Sequence, residues 1–283
     1  MFQKVREIID YIKLEHTVFD LPFIFSGAII ASQGHPYLLK YLLIFIAGTS
    51  ARAAGMSINR IEGYKYDIAN QRKKEWSLVK GTLSVRTAVI LTVIFAMIFE
   101  LSAYLLNSLV LLLSPFVLFM FITDPIMKRI TPWRHIYMGA TIGLGVLGGY
   151  LAISPVFPTS PQIYLIFLAS TFWISGFDVI YVIPDIEHDK SLGLKTIMTR
   201  FGIKEGLRIS IIMHVVSFAA LLILGFYINS IYYYIALVPI MFLMIEQHRI
   251  VNPNDPKSIR ASFLGANSFI GIIFLLGLLF TFF

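Results

Sequence analysis

An all-α polytopic membrane protein with nine transmembrane helices is the fold this sequence predicts, built as two parallel four-helix halves plus a ninth helix. Three observations predict it. Mean hydropathy is +0.78 and only 14% of the 283 residues are charged, where a soluble chain carries about a quarter. Apolar segments long enough to cross a hydrocarbon core recur along the whole chain. The basic residues gather in alternate loops, the asymmetry that orients membrane helices.

The elements follow in order. Residues 1–14 are charged and amphipathic, with Phe2, Val5, Ile8, Ile9 and Ile12 on one face, and read as an interfacial helix rather than a cleaved signal. Spans are expected over 16–33, 38–58, 85–105, 107–123, 135–154, 162–182, 206–226, 231–246 and 262–283. Their polar punctuation is not the two-residue alternation of barrel strands. With the N-terminus cytoplasmic, every one of the 23 Lys and Arg residues except Lys40 and Arg52 falls on the cytoplasmic side. An even number of spans would scramble that bias. The chain thus reads as one domain, 1–283, in the cytoplasmic membrane, with 68–84 and 186–205 as cytoplasmic loops capping a site.

Spans 2 and 6 run in the same direction, and each ends in an acidic cluster followed by one of those loops. That is the pattern of a parallel repeat, helices 1–4 and 5–8, with a site between the halves. Span 5 carries Gly139, Gly143, Gly145, Gly148 and Gly149. Such spacing serves close helix packing, or else a thin wall beside a bound tail. There is no Cys, which excludes disulfides, zinc–thiolate sites and thiol nucleophiles. The basic residues lie in short loops between spans, so the bilayer is the expected partner and nucleic acid is not.

The acidic clusters carry the chemistry. Asn59, Gly63 and Asp67 lie at i, i+4 and i+8 on one helical face, with Glu62 one position off. Asp178, Tyr181, Asp185 and Asp189 share a second face, and Pro184 should kink or end that helix. Carboxylates beside hydrocarbon are costly and need a reason. One reason is pairing with the neighbouring Lys and Arg. The other is that two oxygen-rich clusters face each other and hold hard divalent cations such as Mg²⁺, which in turn hold a diphosphate. Matched clusters in both halves favour the second. Arg52 lies seven residues before Asn59 on the same face, as an intramembrane charge.

These residues resemble the UbiA superfamily of intramembrane prenyltransferases. The second cluster matches that family's D-x-x-Y-x-x-x-D-x-x-x-D in full, followed by Lys190 and Gly193-Leu194-Lys195-Thr196. The first matches N-R-x-x-D-x-x-x-D at Asn59, Arg60 and Asp67, with Gly63 in place of the middle Asp. Of the family-like R-T-x-x-R, Arg72 is kept and the second Arg is Trp76; Lys128-Arg129-Ile130-Thr131 matches K-R-x-T, with Asp124 where Tyr is common. Glu15 to Phe23, Arg52 to Met56 and Gly176 to Tyr181 resemble the branch that prenylates a hydroxylated aromatic acid in quinone biosynthesis, futalosine-route menaquinone enzymes included.

The resemblance implies a prenyltransferase. Two Mg²⁺ ions would bridge the diphosphate of an allylic isoprenyl donor to Asn59, Asp67, Asp178, Asp185 and Asp189, with Glu62 standing in for the acid missing at Gly63. Tyr181 belongs to the same catalytic set. Arg60, Arg72, Lys128, Arg129 and Lys195 would contact the diphosphate. Arg52 would meet an acceptor carboxylate, or else pair with Asp20. His16 would position or deprotonate the aromatic acceptor, or else be a hydrogen-bonded interfacial His. Glu100 reads as structural. A few of the 24 Phe and 14 Tyr would shield a carbocation. The rival readings are another acceptor (a glycerol-phosphate ether lipid, a haem, a chlorophyll-type alcohol) and a cation-coupled transporter. A transporter has no need of a basic loop beside each acidic cluster.

Overall fold

The structure, a computed structural model, describes residues 2–35 and 37–282. Met1, Pro36 and Phe283 lie outside the described residues, so the outermost residue of each expected segment 1–14 and 262–283 does too, as does the Phe2 side chain. The described residues are helical with short connections and contain no strand. Nine of their helices are long and apolar enough to cross a membrane.

α1 (Phe2–Ile12) leads through a 3₁₀ turn at Leu14–His16 into α2 (Thr17–Ser32). The first half continues with α3 (Leu38–Asp67), α4 (Val85–Leu106) and α5 (Ser108–Ile130). The second half holds α6 (Arg134–Ile153), α7 (Gln162–Tyr181), the short α8 (Ile186–Ser191), α9 (Ile197–Ile228) and α10 (Ile231–Arg249). The last span is α11 (Pro256–Ala261), a π turn at Ser262–Ala266 and α12 (Asn267–Leu279). The second and third spans of each half, α3 with α4 and α7 with α9, make the most extensive pairings within their halves, and α2 against α6 joins the halves.

Burial follows the layering. α7 is the most enclosed span, with Ile166, Trp173 and Ile174 almost wholly covered. α4 and α5 leave Ile90, Met97, Leu101, Leu112 and Phe119 exposed, as helices solvated by hydrocarbon do. α1 buries Tyr11 and Ile12 while Val5 and Ile9 stay exposed. The Tyr11 hydroxyl donates to the Ser57 carbonyl at 3.5 Å, so α1 is fastened to α3 by its last turn rather than by its whole apolar face.

The α6 glycines do both things expected of them. A Cβ on Gly139 would strike the Thr171 carbonyl of α7, and one on Gly149 the Ile24 carbonyl of α2. These positions let backbones touch. At Gly148 a Cβ would meet nothing within 4 Å, and this residue lines the central cavity.

Four spans run well past their expected boundaries. α3 continues to Asp67, so the whole first motif is helical, α5 continues to Ile130, and the last span starts at Pro256. The stretch 186–205 is not one loop: α8 fills its start, and α9 begins at Ile197. Thr196 caps α9, accepting from the Thr199 N–H at 3.0 Å while the Thr199 hydroxyl accepts from the Thr196 N–H at 2.8 Å, a reciprocal cap that fixes a helix start.

Candidate active site

A cavity of about 710 Å³ lies between the halves. Its polar mouth is ringed by Lys13, Arg72, Lys73, Asp185 and Arg260; its far end is formed by Leu106, Val110, Leu151 and Phe157. Two helix ends supply the mouth's acids. The last turn of α3 carries Asp67. α7 ends at Tyr181, because Pro184 lacks the N–H to continue it, and a 3₁₀ turn at Ile183–Asp185 precedes α8. Asp178, Asp185 and Asp189 thus come from a helix end, a turn and a short helix, the first two on the main cavity and the third on a cleft beside it.

Each of the first three acids is held by its own cation. Lys73 Nζ donates to Asp67 Oδ1 at 2.7 Å. Arg72 makes a two-pronged contact with Asp185, its Nε at 2.9 Å from Oδ1 and its other arm on Oδ2, and Asn70 Nδ2 donates to the same Oδ1 at 2.8 Å. Asp178 Oδ2 accepts from His135 Nδ1 at 2.7 Å and lies 3.3 Å from the Arg134 guanidinium. With Nδ1 donating, His135 Nε2 is left as an acceptor, buried and unpartnered. Burial opposes charge on Asp185, but Arg72, Lys73 and Asn70 outweigh it and hold its carboxyl below the ordinary carboxylate range. Asp189 goes the other way: burial pushes it up, and Lys128 offsets this only in part.

The aromatic rings organise these cations. Arg60 sits between the rings of Tyr11 at 5.6 Å and Trp76 at 4.2 Å, and Lys73 lies 4.9 Å from the same indole. Arg72 lies over Tyr181 at 5.2 Å, and Arg129 over Tyr66 at 5.4 Å. Trp76, which stands where the family-like pattern has an Arg, therefore serves as a platform for two positive groups.

The sequence-predicted residues fall into three places. His16, Arg52, Asn59, Arg60, Arg72, Lys128, Asp178, Tyr181 and Asp185 line the main cavity. Glu62, Asp67, Arg129 and Asp189 line a smaller cleft of about 20 Å³ beside it, and Asn59, Lys73 and Lys128 border both. Lys195 lines neither; it is exposed, and its ammonium donates to the Ile130 carbonyl at 3.2 Å. Glu62 is exposed. Arg52 pairs with Asp20, the alternative reading of that residue, yet its Nε is buried without a partner. His16 is buried among Phe19 and Phe263.

Four residues of the site are matched by no family-like motif, Asn70, Lys73, Arg134 and His135, and a fifth, Asp124, stands where the family-like pattern commonly has Tyr. Asp124 is 7% exposed and one of its carboxylate oxygens has no partner. Arg134 and His135 open a span, a position that reads as ordinary positive-inside bias, so nothing but their pairing with Asp178 reveals them.

The donors suit a hard cation. The cleft offers the oxygens of Asn59, Glu62, Asp67 and Asp189 around space for about one water molecule, oxygen donors of the kind hard cations take, and the mouth adds Asp178 and Asp185. Among the described residues no three carboxylates or imidazoles already converge as a metal cage. Lys73 instead occupies Oδ1 of Asp67, so an ion bound there would meet the second carboxylate oxygen or displace the lysine.

A profile of the UbiA prenyltransferase family matches residues 21–277. The 4-hydroxybenzoate octaprenyltransferase of Francisella tularensis subsp. novicida is 28% identical over 251 residues, covering 88% of this chain and 86% of that protein. The protein of the same name from Neisseria meningitidis serogroup B is 28% identical over 215 residues, 76% of this chain and 72% of its own length. Among solved structures, the apo structure of a UbiA homolog from Aeropyrum pernix K1 superposes with a TM-score of 0.84 at 31% identity, over 93% of this chain and 97% of that one. A UbiA homolog from Archaeoglobus fulgidus bound to GPP and Mg²⁺ gives 0.73 at 17% identity, over 96% and 99%, a likeness of fold.

Proposed function

Because the chain belongs to the UbiA prenyltransferase family, we propose that it transfers an isoprenyl group from an allylic isoprenyl diphosphate to a ring carbon of a hydroxylated aromatic acid of the 4-hydroxybenzoate kind, a step of quinone biosynthesis. The observation that carries this reading is one cavity that joins a charged mouth to an apolar interior and holds a half-buried, only partly paired arginine between them. The mouth suits a diphosphate, the interior an isoprenyl tail, and Arg52 a carboxylate. The names of the relatives support the aromatic acid, and the Archaeoglobus neighbour supports Mg²⁺ and a prenyl diphosphate.

In this reading the C1–O bond of the donor breaks, its electron pair leaves with the diphosphate, and the electron-rich ring carbon attacks C1. A bound magnesium ion supplies neutralisation of the leaving diphosphate. Arg60, Arg72, Lys73 and Lys128 place further positive charge at the mouth, held in position by the Trp76 and Tyr181 rings. Asn59, Asp67 and Asp189 on the cleft, with Glu62, and Asp178 and Asp185 at the mouth are the residues that would hold two ions. Arg52 orients the acceptor through the guanidinium edge that Asp20 leaves unused. The apolar walls exclude water while C1 is electron-poor. The bias of the basic residues toward alternate loops supports a mouth on the cytoplasmic face of the cytoplasmic membrane.

Purified protein with Mg²⁺, isotopically labelled allylic diphosphates of increasing length and a panel of acceptors tests the assignment, with products identified by mass. The expected product is a C-prenylated 4-hydroxybenzoate-type acid. Prenylation of glycerol phosphate alone, or consumption of no donor, overturns it.

A further inference from the structure

The last span changes its hydrogen-bonding pitch where it passes the cavity. α11 gives way to the π turn at Ser262–Ala266 before α12 resumes. Such a turn inserts an extra residue and re-aims the side chains around it. It is locked from several directions. Asn267 Nδ2 donates to the carbonyls of Ser262 and Phe263, 3.2 Å each. Asn267 is fully buried, and its Oδ1 accepts from Trp173 Nε1 on α7 at 2.9 Å. The Ser262 hydroxyl donates to the Gln247 carbonyl on α10 at 2.7 Å.

The turn puts Phe263 at the centre of an aromatic wall. Its ring centroid lies 4.4 Å from Tyr181, 5.1 Å from His16, 5.3 Å from Phe177 and 5.4 Å from Phe19. All five rings line the cavity. Tyr181 continues to Arg72 and so to Asp185. On the other side, His16 and Phe19 lead to Asp20, the partner of Arg52. Phe263 therefore stands between the charged mouth and the half-buried arginine, where C1 of a donor must pass from one partner to the other.

We propose that Phe263, presented by the π turn, is a catalytic residue that shields C1 of the allylic donor, holding positive charge against ring faces and keeping water away. The inference rests on the proposed prenyl transfer. When the C1–O bond breaks, its electron pair leaves with the diphosphate and C1 becomes positive. Two nucleophiles then compete. A ring carbon of the acceptor forms a C–C bond, and its proton passes to the released diphosphate. Alternatively water forms a C–O bond, gives its proton to the diphosphate and yields the prenyl alcohol. Ring faces attract cations, most strongly when desolvated, and a close-packed wall leaves water no room.

The test is the ratio of prenyl alcohol to prenylated acceptor, measured by mass with geranyl diphosphate, Mg²⁺ and 4-hydroxybenzoate. With the alcohol formed in the absence of protein subtracted, this ratio does not depend on how much of the protein is folded. Phe263→Leu should raise it roughly fivefold or more, the order expected from losing one desolvated cation–ring contact, while Phe263→Tyr keeps it near the wild-type value. Asn267→Leu, which removes both side-chain donors from the turn, should raise it as Phe263→Leu does. An unchanged ratio in Phe263→Leu overturns the inference. If wild-type protein forms neither product, the proposed function itself fails, a separate outcome.

Discussion

Removing the Arg52 guanidinium should separate acceptor recognition from a structural ion pair. Arg52 is half-buried and Asp20 buried, with side-chain exposures of 15% and 7%. Arg52→Met alone strands the Asp20 carboxylate, and breaking such a pair costs about 3–5 kcal/mol. A single variant therefore confounds stability with binding. Arg52→Met combined with Asp20→Leu replaces both charges by apolar groups, which is close to neutral for stability in buried sites. What the double variant still lacks is the Nε edge that no protein group uses. A hydrogen bond to a charged group contributes about 1.5–3 kcal/mol, so the KM for 4-hydroxybenzoate should rise roughly 10- to 100-fold. Donor KM should move little, and the preference for 4-hydroxybenzoate over 4-hydroxybenzamide should disappear. Steady-state kinetics in detergent with both acceptors reads this directly. A double variant with wild-type acceptor KM refutes the recognition role and leaves Arg52 as half of an ion pair; a collapse of donor affinity moves it to the diphosphate site.

The remaining expectations concern the mouth. Asp67→Asn should lower prenyl transfer roughly 100-fold or more, as loss of a principal charge-stabilising group does, and should lower the melting temperature as well, because it strands the buried Lys73 ammonium. Asp178→Asn should lose activity and stability together, since it leaves Arg134 and His135 without their shared carboxylate; normal turnover by either variant at saturating Mg²⁺ sinks the metal assignment. Glu62→Gln should raise the Mg²⁺ concentration for half-maximal activity, and Gly63→Asp should lower it. A Cβ at position 63 lies 3.2 Å from the Asp67 carboxylate, so a new acid there would share its ion. Unchanged metal titrations in both would show that Asn59 and Asp67 suffice. Asp185 has a folded-state pKa below its unfolded one, so its contribution is present above the unfolded value and is lost as pH falls through the folded value. The stability gap between wild type and Asp185→Asn in metal-free buffer should therefore shrink below about pH 4, and a gap independent of pH would show that the Arg72 contact contributes nothing net.

The spans were legible because hydropathy reports directly on transfer to hydrocarbon. Where charge interrupts that signal, the reading stopped early. Span 2 was expected to end at 58, yet the backbone ladder of α3 carries through Arg60, Glu62 and Lys65 to Asp67, because charged side chains at a membrane end cost the helix itself little. The start of α9 was missed although Thr196-x-x-Thr199 is a readable cap. The acids of both motifs were found by spacing, since spacing along one helix is a local property. Their protein partners were not: Asp178 meets Arg134 and His135 some forty residues away, and Asp185 meets Arg72 from the other half. The π turn leaves no periodic trace in Ser262 to Ala266 and appears only through the Asn267 and Trp173 contacts that lock it.

Those pairings bear on why a diphosphate enzyme of this design would need a metal at all. Around the mouth, Asp67, Asp178 and Asp185 already stand against Lys73, Arg134 and Arg72. Three of the positive groups that look ready for a phosphate are thus matched by carboxylates of the same chain. A diphosphate arriving alone would add unbalanced negative charge to a desolvated site, which is strongly unfavourable. In the proposed reading, divalent cations held by these carboxylates would restore the balance and would leave Lys73 and Arg72 available to the phosphate oxygens. On that reading the ion pairs of Asp67, Asp178 and Asp185 satisfy these acids in the absence of metal, and the same acids would hold the ions of the loaded site.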